Sequence, residues 1–292
     1  MEVKGIITAM VTPFDQNQEL NSKGTKQLVN KLINSGVSGI FILGTNGEFH
    51  LLTNDEKVAF AKIVIDEVNK RVPVYVGTGG NSTREVIELS KKMEALGADA
   101  LSVITPYFLV PSQSEVIHHY KAIAEAVKIP IIIYNIPKNT GMNLEPETVL
   151  ELAKVKNIIA IKDSSGKLEN IEKYIQITSN EDFSVLSGSD SLILDALKIG
   201  ATGAIAATSN LITDIDVSIY EKFLKGDIAG AEKAQQEIEV LRAVLKAGTV
   251  PSILKKAVEM SGISVGPARL PVTQPKEEVI EKIQKMLDYY SQ

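Results

Sequence analysis

The chain has 292 residues, with 31 Lys plus Arg against 36 Asp plus Glu for a formal charge of −5, and it holds no Cys, no Trp and three His. Without cysteine there is no disulfide framework, thiolate zinc site, iron–sulfur cluster or thiol nucleophile, and a histidine-built metal site would have only His50, His118 and His119 to draw on. The acidity argues against a nucleic-acid partner, which calls for a basic surplus, and no apolar run approaches the roughly 18 residues that span a bilayer.

The start, Met1-Glu2-Val3-Lys4-Gly5, carries no charged-then-apolar leader, so a soluble, cytoplasmic protein is expected. Along the chain, short Ile/Val-rich runs alternate with amphipathic stretches. A strand at Gly5–Met10 precedes a helix at Ser22–Ser35, and a strand at Gly39–Leu43 precedes one at Asn54–Lys70. The alternation continues with Val74–Gly77 and Thr83–Leu96, then Ala100–Ile104 and Ser114–Val127. Ile131–Tyr134 and Pro146–Lys154 follow, then Ile158–Ile161 and Leu168–Thr178, then Ser184–Leu186 and Ser191–Ile199, with a last strand at Gly203–Ala207.

Most of these strands lack polar alternation, which is how strands buried on both faces of a parallel sheet read. Eight such units predict an α/β fold, a (β/α)8 TIM barrel, for which about 250 residues is typical. An open doubly wound sheet is the weaker alternative, because no G-x-G-x-x-G turn follows the first strand. Gly77-Thr78-Gly79-Gly80 follows a strand but has the wrong spacing, and reads as a tight βα turn.

From Asp216 onward the strand signal stops. Helices are expected at Val217–Lys225, Ile228–Ala247 and Ser252–Met260, then a Gly/Pro-rich loop at Gly262–Pro271 and a final helix at Pro275–Tyr290. The expected organisation is a barrel over 1–215 and a C-terminal helical extension over 216–292.

Active sites of such barrels lie at the C-terminal ends of the strands. Lys162 directly follows Ile158–Ile161, and its alternation with Ile161 aims it into the barrel mouth. Desolvation favours a neutral amine, which Schiff-base chemistry with a ketone requires. The competing reading is a lysine that reaches solvent or pairs with Asp163. Tyr134 ends the preceding strand and would stand beside Lys162 as a general acid and base, or simply cap the core. Gly44-Thr45-Asn46-Gly47-Glu48 is a two-glycine loop whose N–H groups can hold a carboxylate, with the Thr45 hydroxyl joining a proton relay; a plain turn is its alternative. His118 and His119 fall within one helix, where no third ligand has a useful spacing, and His50 reads as a loop residue near the site.

Four segments in order, Gly44–Glu48, Tyr134-Asn135-Ile136-Pro137, Ile161-Lys162-Asp163 and Arg269-Leu270-Pro271, resemble the dihydrodipicolinate synthase / N-acetylneuraminate lyase family of class I pyruvate-dependent aldolases. The resemblance implies a metal-independent Schiff-base lyase needing no cofactor, with Lys162 forming the imine and Tyr134 carrying the proton. It implies further that Thr45 and Asn46 hold the carboxylate of pyruvate, that Gly188 and Ile205 line the pocket, and that the chain assembles as a homotetramer, a dimer of dimers. Two positions depart from the synthase pattern. Asn139 stands where the synthases have an arginine for the second substrate's carboxylate, with Lys138 beside it as a possible substitute. Phe108 stands where they have a relay tyrosine, leaving only Tyr107 nearby.

The Gly44–Thr53 run, Ile117-His118-His119-Tyr120 and Asn139-Thr140-Gly141 lie closer to 4-hydroxy-2-oxoglutarate aldolases, and 2-keto-3-deoxygluconate aldolases also lack the arginine. The expected function is therefore cleavage or formation of a C–C bond between pyruvate and an aldehyde, on a 2-oxo-4-hydroxy acid or 2-keto-3-deoxy sugar acid. The alternatives are a 4-hydroxy-tetrahydrodipicolinate synthase condensing pyruvate with aspartate semialdehyde, a sugar-acid dehydratase with the same lysine and tyrosine, and a non-catalytic 2-oxo-acid-binding protein.

Overall fold

In the computed structural model, which describes residues 2–291, eight parallel strands close in chain order into one barrel. They are β1 (Gly5–Ala9), β2 (Gly39–Ile42), β3 (Val74–Gly77), β4 (Ala100–Ile104), β5 (Ile131–Asn135), β6 (Ile158–Asp163), β7 (Ser184–Ser187) and β8 (Gly203–Ala206). The expected TIM barrel is what forms.

Two separate apolar clusters explain why the strands lack alternation. One fills the barrel interior with Ile7, Phe41, Tyr75, Ile132, Ala160, Leu186 and Ile205 among others. The other lies between the strands' outer faces and the helices, and takes in Ile6, Ile40, Val76, Leu101, Ile133 and Ile161. Successive side chains on a strand point to opposite faces, so both sets must be apolar. The same period places Lys162, two residues after Ala160, inside the barrel and Asp163 outside it.

β5 and β6 run further than expected, through Asn135 and Asp163. The extension is polar but paired: Tyr134 sits opposite Lys162 and Asn135 opposite Asp163. Asn135 Nδ2 donates to Asp163 Oδ1 at 2.7 Å, which lets a buried amide and carboxylate continue the ladder. Pro137–Thr140 forms one helical turn with proline in its first turn.

The boundary expected at residue 215/216 falls inside a helix, Thr213–Leu224. That helix packs on β1 and on helix Ile193–Lys198, so it completes the outer ring. Helices Ile228–Leu245, Val250–Met260 and Glu277–Tyr290 make up the extension. Ile238, Leu241, Leu254 and Ile283 belong to the same apolar cluster as the barrel's outer face, so the two parts share a core. Among the described residues no helix is long and apolar enough to cross a membrane.

His118 and His119 separate as their helical neighbourhood dictates. His118 is exposed, whereas His119 is buried with Nδ1 2.8 Å from Thr83 Oγ1 and with Nε2 unpartnered. Burial pushes the His119 pKa down to about 4 from 6.5. The unfolded chain therefore takes up a proton at this residue between pH 6.5 and 4 while the folded chain does not, so stability falls as pH drops through that window. Between pH 7 and pH 5 the wild type should lose roughly 2 kcal/mol more than His119→Gln, measured by urea denaturation. Equal losses in the two proteins would show that His119 does not carry this acid limb.

Candidate active site

The loops at the C-terminal ends of the strands surround a cavity of about 420 Å3. Lys162, Tyr134, Thr45, Asn46, Asn139, Gly188 and Ile205 all line it. Lys162 is 4% exposed. Its Nζ lies 4.1 Å from the Tyr134 ring centroid and 5.0 Å from that of Phe41, in an aromatic cradle. The alternative pairing with Asp163 does not form. The Asp163 carboxylate accepts from Asn135, Ser165 and Asn170 on the other face of β6, and burial raises its pKa against these bonds. The amine is thus left without a carboxylate partner at the barrel mouth.

Gly188, just past β7, keeps that amine reachable. A Cβ there would fall 2.8 Å from Lys162 Cε and closer still to Ser164 Oγ, so any larger residue would press on the lysine stem.

Tyr134 Oη lies 3.2 Å from Thr45 Oγ1, a hydrogen bond in which either hydroxyl can donate. Thr45 belongs to the turn Gly44–Glu48, closed by Gly47 N donating to Gly44 O at 3.0 Å and Glu48 N to Thr45 O at 3.1 Å. Among the described residues the N–H groups of Thr45 and Asn46 find no acceptor, so both are available to an anion. Leu43, just before the turn, and Glu48, its last residue, hold positive φ of 58° and 56°. Non-glycine residues adopt this conformation only where their surroundings impose it.

A buried network imposes it here. Lys255, from helix Val250–Met260, donates to Glu48 Oε1 at 3.0 Å and to Thr12 O at 2.8 Å, and its Nζ sits 4.2 Å from the Phe14 ring centroid. The backbone N–H of Arg269 donates to Glu48 Oε2 at 2.7 Å, and the Arg269 side chain bonds Glu56, Gln18 O and Leu51 O. Arg269 thus holds the loop from behind and does not enter the site. Burial lowers the Lys255 pKa to about 8, against the pull of Glu48. Replacing Lys255 by Met leaves Glu48 as an unpaired buried carboxylate, and should destabilise the protein by about 3–5 kcal/mol. A denaturation midpoint equal to wild type would show that the pair does not anchor the loop.

Not every expected residue enters the cavity. Lys138 is exposed and does not line it, because the single turn Pro137–Thr140 presents Asn139 to the cavity and Lys138 to solvent. Tyr107 lines an adjoining recess with Thr45, His50 and Asn139, its ring 6.2 Å from Phe49 edge-on, and burial raises its pKa. Phe108 points away from both, 91% exposed at φ 76°. The Gly77–Gly80 turn packs against the neighbouring strand: a Cβ at Gly79 would fall 2.5 Å from Ile104 N, so the glycine serves close packing. Ser189 and Asp190, which follow β7 at the strand end, also line the main cavity, as do Thr249 and Arg242; Arg242 carried no signal in the sequence, since a lone Arg within an amphipathic helix reads as a solvated face.

Comparison with known proteins agrees with this geometry. The model of the dihydrodipicolinate synthetase family matches residues 2–289. The 4-hydroxy-tetrahydrodipicolinate synthase 1 of Halalkalibacterium halodurans is 43% identical over 272 residues, covering 93% of this chain and 92% of that protein. A dihydrodipicolinate synthase from Bacillus anthracis superposes with a TM-score of 0.95 at 37% identity, covering 99% and 98% of the two chains. YagE, an E. coli K12 prophage protein of the same family solved with pyruvate, superposes with a TM-score of 0.95 at 32% identity over 99% and 98%. The chain belongs to the dihydrodipicolinate synthetase family, and is a Schiff-base lyase of the class I, pyruvate-dependent aldolase type.

Proposed function

We propose that this member of the family forms an imine between Lys162 and the C2 carbonyl of pyruvate or a longer 2-oxo acid, and makes or breaks a C–C bond to an aldehyde. The observation that carries the reading is the unpaired Lys162 amine one strand from a Tyr134 hydroxyl that is bonded to Thr45. In the forward direction the amine adds to the carbonyl and water leaves, giving a protonated imine. Transfer of a proton from C3 to the Tyr134–Thr45 hydroxyl pair gives an enamine, which attacks the aldehyde carbon. The resulting alkoxide takes a proton from Tyr134, relayed through Thr45, and water then releases the product and Lys162. Cleavage is the reverse. The free N–H groups of Thr45 and Asn46 hold the carboxylate, so the imine carbon is fixed against Tyr134.

The aldehyde partner has two readings. The names of the full-length relatives favour aspartate semialdehyde, and so a 4-hydroxy-tetrahydrodipicolinate synthase, over the aldolase expected from the loops. Two departures from the synthase pattern favour a 4-hydroxy-2-oxo acid aldolase: Asn139 stands at the arginine position of the β5 loop, and Phe108 stands where that pattern has a relay tyrosine. We adopt the aldolase reading on those two residues. It predicts turnover of 4-hydroxy-2-oxoglutarate or a 2-keto-3-deoxy sugar acid well above condensation of pyruvate with aspartate semialdehyde. The opposite ranking in one assay panel overturns it, and no turnover of any panel member supports a binding protein instead.

The chain is also proposed to assemble as a homotetramer. Phe108, Leu109 and Val110 form an exposed apolar tip, 91%, 78% and 57% exposed, of the kind a partner copy covers. Sedimentation should give four times the 31.7 kDa chain mass; a species of one chain mass contradicts the proposal.

A further inference from the structure

The chain has four arginines, and three of them make hydrogen bonds to the rest of the protein. Arg71 donates to Glu67 O and Val68 O, Arg84 pairs with Glu88 on the surface, and Arg269 is spent on the network behind the Gly44–Glu48 loop. Arg242 differs. It comes from helix Ile228–Leu245 of the C-terminal extension and lines the same cavity as Lys162. Among the described residues its side chain makes no hydrogen bond, and its Nε is buried without a partner.

Two carboxylates form ion pairs with it without accepting a hydrogen bond from it. Glu239 Oε1 is 3.2 Å from Nε, close enough for ion pairing but not aligned for a hydrogen bond. Asp190 Oδ2 is 3.9 Å from Nη1, and the Asp190 oxygens already accept the N–H groups of Ala207 and Thr208. These neighbours hold the guanidinium in place and leave its donors open. A guanidinium with uncommitted donors in a partly buried cavity suits a carboxylate, which it grips through two parallel bonds.

We propose that Arg242 seats a second carboxylate of the substrate, remote from the 2-oxo acid end held by Lys162, Thr45 and Asn46. The charged donor that Asn139 cannot supply from the β5 loop is supplied from the C-terminal extension. The preferred substrates are then dicarboxylic, a 4-hydroxy-2-oxo diacid or the adduct of a carboxylate-bearing aldehyde, over chains that end in hydroxyls. This inference rests on the proposed imine at Lys162.

The test measures binding of matched 2-oxo acids, 2-oxoglutarate against 2-oxopentanoate and 2-oxoadipate against 2-oxohexanoate, to wild type, Arg242→Gln and Arg242→Lys. Each pair differs only in the distal carboxylate, and the affinity ratio within one preparation does not depend on how much of it is folded. Wild type should prefer a diacid. The preference should fall roughly 10- to 100-fold in the Gln variant and by less in the Lys variant, which keeps a charge without the fork. A wild type that shows no diacid preference at either length, or variants that keep the wild-type preference, overturns the assignment of Arg242. Failure of borohydride to trap pyruvate on the wild-type protein would instead overturn the imine at Lys162, a different result from the same set of ligands.

Discussion

Lys162→Met should lose kcat/KM for any 2-oxo acid substrate by roughly 10^4-fold or more, because the nucleophile itself is removed and no other amine takes its place. Methionine keeps the unbranched stem between the Tyr134 and Phe41 rings. It also removes an amine that has no hydrogen-bond partner among the described residues, so the thermal midpoint should stay level or rise. Activity and stability moving in opposite directions is the signature of a residue held for chemistry at a cost to the fold. Activity within about 100-fold of wild type would contradict the mechanism, since positioning effects alone leave that much.

The second large effect is expected at Tyr134. Tyr134→Phe keeps the ring against Lys162 and its edge contact with Phe41 at 6.2 Å between centroids, and deletes only the hydroxyl bonded to Thr45. Loss of a proton carrier costs typically 10^2- to 10^4-fold, so kcat should fall in that range while KM for pyruvate changes little. The enamine attack ends on an alkoxide, and among the described residues the Thr45 hydroxyl bonds no hydroxyl other than that of Tyr134. A kcat reduced less than about tenfold would mean that water or Tyr107 carries the proton instead, and would return Tyr134 to the role of a core-capping aromatic.

Much of the barrel was legible in the chain because a strand packed on both faces leaves a continuous Ile/Val run, and eight such runs admit few topologies. Lys162 and Tyr134 were legible for a related reason: each is a polar residue set directly on the end of such a run. The competing reading, a Lys162–Asp163 pair, failed on the same alternation, since neighbours on one strand face opposite ways. Lys138 was misplaced because the one-turn helix at Pro137–Thr140 decides which of two adjacent side chains meets the cavity, and four residues carry too little periodicity to show it. Lys255 and Arg242 were missed for a deeper reason. Both sit on helices of the C-terminal extension, and nothing local distinguishes a lysine buried at 0% exposure against Glu48 from one on a solvated face. Their roles follow from how that extension packs across the barrel mouth, which is set by contacts more than 200 residues apart in the chain.

The chemistry stands on the imine at Lys162, and one measurement reaches it directly. The purified protein is incubated with pyruvate, reduced with borohydride, digested and mapped by mass spectrometry. A single stoichiometric adduct is expected on the peptide carrying Lys162, absent in Lys162→Met. An adduct on another lysine, or none at saturating pyruvate, would contradict it.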